Sequence, residues 1–276
     1  MKINIFTTAG GKYLDWYEKY TLLSLDHDVQ KLKSEKHEIE FIQNGFSKDG
    51  VLPSNEEMKN IGAQTPLDAL ILKGLRLCIE KCIKEDALFF LAPPDTIFAL
   101  NTLYNMVKMS EGKKGICIAL PHLRMIPNND IKVPITAQEL ASLIVKYKHP
   151  TFANSFDFSD CNCTWAGIST RKLNDNLYAI IHNLPTIYAA RFTQADLQFW
   201  NNCDEWPHWD RGWLKEVFVF DRIKVVGSSD LGFAAELTES TVNIPSSRNG
   251  LQYNDKYFSN DIHNNGFNKF IFTMKI

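Results

Sequence analysis

The chain has 276 residues, enough for one large domain or two closely packed ones, and enough to bury a core without disulfide or metal staples. Hydrophobic residues make up 45% and charged residues 22%, a globular balance that excludes disorder as the organising state. Lys plus Arg number 30 against 32 Asp plus Glu, a net charge of −2, so no global positive field exists and no general nucleic-acid binding is expected.

No apolar run approaches the roughly 18–20 residues of a transmembrane helix. The opening Met1-Lys2-Ile3-Asn4-Ile5-Phe6 is too short and too soon polar for a signal peptide and predicts a strand from Lys2 to Thr7. Thr8-Ala9-Gly10-Gly11 then places a small-residue turn at its carboxyl end. Leu14, Tyr17, Tyr20 and Leu25 share one face of a helix predicted over 12–25. Glu38 to Ile42 alternates as a second strand, and the polar stretch 44–60, with Gly45, Gly50 and Pro53, predicts a loop. Pro66 opens a helix to Lys84 whose inner stripe includes Leu67, Leu70, Leu75, Cys78, Ile79 and Cys82. Ala87 to Ala92 is the continuous apolar run of a strand buried on both faces. A helix over 99–109 and a buried strand from Gly115 to Leu120 follow. This alternation predicts an α/β fold whose half 1–125 is a mostly parallel sheet with flanking helices, a nucleotide-binding arrangement.

Residues 121–135 form a Pro-rich connection, after which Thr136 caps a helix to Tyr147 with Glu139 completing a capping box. His149-Pro150 ends that helix, where a histidine suits the negative terminus. From 151 onward strands are expected to be short and irregular. A strand pair is predicted at Phe218–Phe220 and Ile223–Val226, and a terminal strand at Phe270–Ile276. The half 126–276 is thus a mixed α+β acceptor-binding half, forming one continuous domain with the first.

Several mechanisms lack their motifs. Gly10-Gly11-Lys12 has the wrong upstream spacing for a phosphate-cradling loop, and no G-x-G-x-x-G, G-x-S-x-G or H-E-x-x-H occurs. Cys78 and Cys82 sit four apart on an apolar stripe, and Cys161 and Cys163 two apart in a loop, which suits core thiols better than zinc. Six cysteines without a regular disulfide framework point to a reducing compartment, the cytoplasm.

Asp95 follows a buried strand, at the edge where α/β sheets bind ligands. A carboxylate there can hold a hydrated divalent cation, bind a sugar hydroxyl, or cap the next helix. Arg124 can fork onto a phosphate and His122 can act as base or ligand, though both also suit an ordinary loop. Lys73 and Arg76, three apart on a helix, face either phosphates or solvent. Four of the six Trp lie between Trp200 and Trp213, among Asp204, Glu205, His208 and Asp210. Flat aromatic faces with interspersed carboxylates suit a sugar, and equally a packed core or a partner surface. Asp221, Asp230 and Glu236 surround the late strand; Asp230 follows the turn Gly227-Ser228-Ser229, either to stabilise it or to enter a pocket.

The strand, small-residue turn and helix at the start, with the apolar strand running into Pro94-Asp95-Thr96-Ile97-Phe98, resemble the nucleotide-sugar half of GT-A type glycosyltransferases. The likeness covers 1–125 as architecture and only 93–98 and 149–150 as motif, the latter also similar to bacterial and viral proteins with a P-D-T-I-F segment and a later H-P step. Where the family carries D-x-D, Ala92-Pro93-Pro94-Asp95 supplies one acid. The resemblance implies hexosyl transfer from a nucleoside-diphosphate sugar to a glycan or other hydroxyl acceptor. It implies Thr7, Thr8, Ala9 and Gly10 at the nucleoside, Asp95 on the donor and on Mn²⁺ or Mg²⁺, and Arg76 and Arg124 near the phosphates. Trp206 and Trp209 would then bind the acceptor, with Asp210 or Asp230 activating it. Two other classes stay open. One is a non-catalytic carbohydrate- or protein-binding module using 200–213, the other a methyltransferase-like enzyme.

Overall fold

The protein is described here from a computed structural model, which defines residues 1–44, 66–149, 168–182, 187–201, 220–240 and 271–276. In chain order the elements are β1 (Lys2–Thr8), α1 (Lys12–Trp16), a π-helical turn (Tyr17–Thr21), α2 (Leu22–Ser34), β2 (Glu38–Asn44), α3 (Pro66–Glu85), β3 (Leu88–Leu91) and β4 (Thr96–Phe98). Then follow α4 (Thr102–Ser110), β5 (Cys117–Leu120), β6 (His122–Met125), α5 (Ala137–Lys146), β7 (Ile168–Asn174), β8 (Leu177–His182), β9 (Ile187–Ala190) and α6 (Gln194–Asn201). A 3-10 turn (Phe220–Arg222), β10 (Ile223–Val225), β11 (Ala234–Leu237) and β12 (Ile271–Lys275) complete the described elements.

The main sheet has six strands in the order β10-β5-β9-β3-β1-β2. Parallel pairings join β1 to β2, β1 to β3 and β10 to β5. The mostly parallel sheet is therefore present with one departure: β9 runs antiparallel to both β3 and β5. Side chains alternate across it as strand pleating requires. Ile3, Ile5, Leu88, Phe90, Ile118 and Leu120 join one apolar cluster, with Leu25, Val29 and Leu32 of α2 and Leu103, Met106 and Val107 of α4. Phe6, Phe89, Leu91, Cys117 and Tyr188 join the other, with Leu75, Cys78, Ile79 and Cys82 of α3. Each large apolar side chain fully buried this way contributes about 1.5–3 kcal/mol. Cys78 and Cys82 are thus packed core thiols. A Cβ on Gly74 of α3 would fall 2.1 Å from the Asn44 side chain, so glycine lets this helix lie on the end of β2.

Several expected elements differ. The helix predicted over 12–25 is divided into α1, the π-helical turn and α2. The connection 121–135 contains β6, and Asp95 leads into β4 and does not cap a helix: Asn101, in a left-handed conformation, occupies that cap. Both short strands exist because β11 pairs with them, antiparallel to β4 and parallel to β6. Ile223–Val225 pairs with β5, and Phe220–Arg222 is a 3-10 turn instead of a strand. Beyond 151 the described strands include a regular antiparallel trio, β12-β8-β7. The capping box at Thr136 and Glu139 is present, worth about 1 kcal/mol to α5. Most of the loop 44–60, Cys161, Cys163 and Pro150 lie outside the described residues.

Candidate functional site

The chain leaves β1 toward β2 on one side and returns from β2 to β3 on the other. Such a reversal opens a crevice at the carboxyl ends of the two strands, the place where open α/β sheets bind ligands. Thr7, Thr8, Ala9 and Gly10 line the β1 side and Ala92 to Asp95 the β3 side, tied by the Ala92 N–H donating to Phe6 O at 2.9 Å. The π-helical turn fixes the acidic loop. The Thr21 hydroxyl donates to Pro94 O at 2.9 Å and accepts from the Thr96 N–H at 3.3 Å, and Ser24 Oγ accepts from the Phe98 N–H at 3.1 Å. Such π turns concentrate at functional sites.

Across the crevice, β11 binds the same loop: the Leu237 N–H donates to Asp95 O at 2.6 Å. The parallel β6–β11 register sets Glu236 opposite Arg124, and the antiparallel β4–β11 register sets it opposite Thr96. Arg124 Nη2 lies 2.8 Å from Glu236 Oε1, and His122 Nε2 lies 3.3 Å from Glu236 Oε2. Burial opposes ionisation of Glu236, yet the Arg124 charge and the His122 contact hold its carboxyl below the usual range. Burial, and then the charge of Glu236, push the Asp95 carboxyl up to about 8, with Arg124 acting the other way. Two carboxyl groups in one crevice are therefore split into a proton holder and an anion, the usual mark of assigned acid and base positions.

The mouth is spanned by Lys12, whose Nζ lies 2.8 Å from Glu239 Oε2. The Tyr13 and Trp16 rings meet edge to face at 5.6 Å beside it. Tyr13 belongs to the same field: burial raises its phenol pKa first, and the charge of Asp95 next. The Thr7, Thr8, Thr96 and Thr238 hydroxyls, all at this end of the strands, are buried without a hydrogen-bond partner among the described residues. Buried hydroxyls are ordinarily satisfied.

The fold thus brings together Thr7, Thr8, Asp95 and Arg124 of the expected site residues, with Ala9 and Gly10 in the adjoining turn. It sets two elsewhere. Arg76 lies on the exposed face of α3 with Glu80 at 3.2 Å, and Asp230 is exposed and paired with Lys275 near β12. Among the described residues, no hydrogen bond or ion pair joins either to Asp95, Glu236 or Arg124. Trp206, Trp209 and Asp210 lie outside the described residues. His149 is buried, its ring 3.1 Å from Glu239 O, in keeping with a structural role. Glu236, Lys12 and Tyr13 were not expected here. The one sequence signal was a charged residue inside the apolar run Phe233-Ala234-Ala235-Glu236-Leu237.

The divalent cation implied at Asp95 does not suit this donor set. Both Glu236 oxygens are engaged by cationic or N–H groups, and the Arg124 guanidinium already acts on Asp95. Among the described residues no three His, Cys, Asp or Glu side chains converge as ligands. No helix among them is long and apolar enough to cross a membrane. The chain matches no protein-family model and no curated protein.

Proposed function

We propose that the chain is a glycosyltransferase of GT-A-like architecture, moving a sugar from a nucleoside-diphosphate donor to a hydroxyl acceptor. The observation that carries this reading is the meeting of Asp95, Glu236 and Arg124 in the crevice between the carboxyl ends of β1 and β3. That crevice offers a nucleoside diphosphate what it needs. Thr7 and Thr8 supply hydroxyls for the nucleoside, a guanidinium faces the phosphates, and a carboxyl that keeps its proton near neutrality can donate a hydrogen bond to the sugar or the leaving oxygen. Transfer of this kind depends on steadying the departing diphosphate and orienting the acceptor. This reading gives the acceptor to the segment 200–213, with Trp206 and Trp209 as sugar-stacking faces and Asp210 as its base.

Thermal unfolding with UDP, GDP, CDP, ADP, CMP and S-adenosylmethionine, each with and without Mn²⁺, tests it. A ligand that binds the folded state at about 100 times its dissociation constant adds roughly 2.7 kcal/mol, a readable shift. One nucleoside diphosphate should raise the melting temperature, and Asp95→Ala, folded by circular dichroism, should abolish that rise. A shift with S-adenosylmethionine alone, or with nothing in the panel, overturns the reading.

A further inference from the structure

We infer that Arg124, fixed by Glu236, does in this chain the charge-neutralising work of a divalent cation, so that the crevice takes its nucleoside diphosphate without metal. The inference rests on the proposed transferase reading and concerns the same crevice. Three observations lead to it. Arg124 and Glu236 are register partners on adjacent parallel strands, each with 18% of its side chain exposed, so the pair reaches the crevice from a rigid two-strand base. The bond from Arg124 Nη2 to Glu236 Oε1, 2.8 Å, sets the guanidinium in a defined orientation. The remaining Glu236 oxygen faces His122 Nε2 at 3.3 Å, which leaves Asp95 as the one acid of the pair without a cationic or N–H side chain on it among the described residues.

A metal at Asp95 would therefore have one carboxylate to hold it and a guanidinium to repel it. A diphosphate meets the opposite situation. A planar guanidinium carries five N–H donors, more than one carboxylate oxygen can take up, and its fork matches two phosphate oxygens. Lys12 adds a second cation at the mouth, 2.8 Å from Glu239, whose exposed bridge a phosphate can exchange for its own. Glu236 is thus a positioning residue and Arg124 the group that touches the ligand.

The test is calorimetric binding of UDP, GDP, CDP and ADP to the full chain in EDTA and, separately, in Mn²⁺. The nucleotide that binds should do so with dissociation constants within threefold of each other in the two buffers. Arg124→Gln should weaken it at least tenfold in EDTA, Arg124→Lys less, and Glu236→Gln should weaken it while the ligand-free melting temperature is recorded for each variant. Binding seen only with Mn²⁺ overturns the inference and leaves the transferase reading standing. Binding in neither buffer by any of the four overturns both. The wild-type comparison needs no variant, so a misfolded mutant does not protect the idea.

Discussion

Asp95 and Glu236 carry the same functional group and hold different protonation states near neutrality because their neighbours differ. Glu236 has a guanidinium at 2.8 Å, and Asp95 has burial and the Glu236 charge to contend with. The consequence for stability has a definite sign. The folded Asp95 keeps its proton to about pH 8, against an ordinary carboxylate value of 3.8, so between these values the folded state binds more protons than the unfolded one. Stability from this group is complete below about pH 4 and is lost as pH rises through about 8. Asp95→Asn removes that dependence. Melting temperatures of the two proteins should diverge from pH 4 to pH 9, the variant ending higher by a few degrees, about 1 kcal/mol or more for a chain of this size. Parallel curves across that range would mean that Asp95 is solvated like any surface carboxylate.

At the scale of elements, the crevice is held by caps that the helices lend to one another. The first turn of α4 has no side-chain cap of its own. Asp28 of α2 supplies it, accepting from the Asn101 N–H at 2.8 Å and the Tyr104 N–H at 3.2 Å while almost fully buried. Burial raises the pKa of this carboxyl, and the Tyr104, His27 and Asn101 contacts work to keep it ionised. Thr102, the first residue of α4, in turn accepts from the Phe233 N–H at 3.0 Å and donates to Phe233 O at 3.2 Å, just ahead of the strand that carries Glu236. Asp28→Ala leaves two buried N–H groups unpaired and should cost about 1–3 kcal/mol in urea unfolding, Asp28→Asn less, because one acceptor remains. A loss of under about 0.5 kcal/mol, the scatter of ordinary surface changes, would show that α4 is held by apolar packing alone.

At the scale of the whole molecule, the order of strands explains what the sequence discloses and what it hides. β1, β3 and β5 are legible because burial on both faces forces nearly unbroken apolar runs such as Leu88-Phe89-Phe90-Leu91. β4, β6 and β9 are three or four residues long, set close to Pro94, Pro121 and Pro185, and become strands only by pairing with segments far along the chain. Glu236 is hidden for the same reason: its partners are Arg124 and His122, more than a hundred residues earlier, and spacing carries no trace of them. Asp95 is legible because one local rule, a carboxylate just past a buried strand, is enough to place it.

This arrangement makes the first half dependent on the second. β9 lies between β3 and β5 in the middle of the main sheet, where Ala190 and Ala189 pair with Phe89 and Phe90 on one side and Cys117 and Ile118 on the other. β10 covers the far edge of β5. A fragment of residues 1–125 has neither strand, so β3 and β5 present open edges and Phe89, Cys117 and Ala119 lose the Tyr188 and Ala190 side of their cluster. Exposed apolar edges of this kind pair with other chains before they close on themselves. Expressed alone, the fragment should aggregate, or remain soluble without a cooperative thermal transition by circular dichroism. A monomeric fragment with a sharp melt would show that the five parallel strands need no antiparallel insert, and that the nucleotide side of the crevice is a module in its own right.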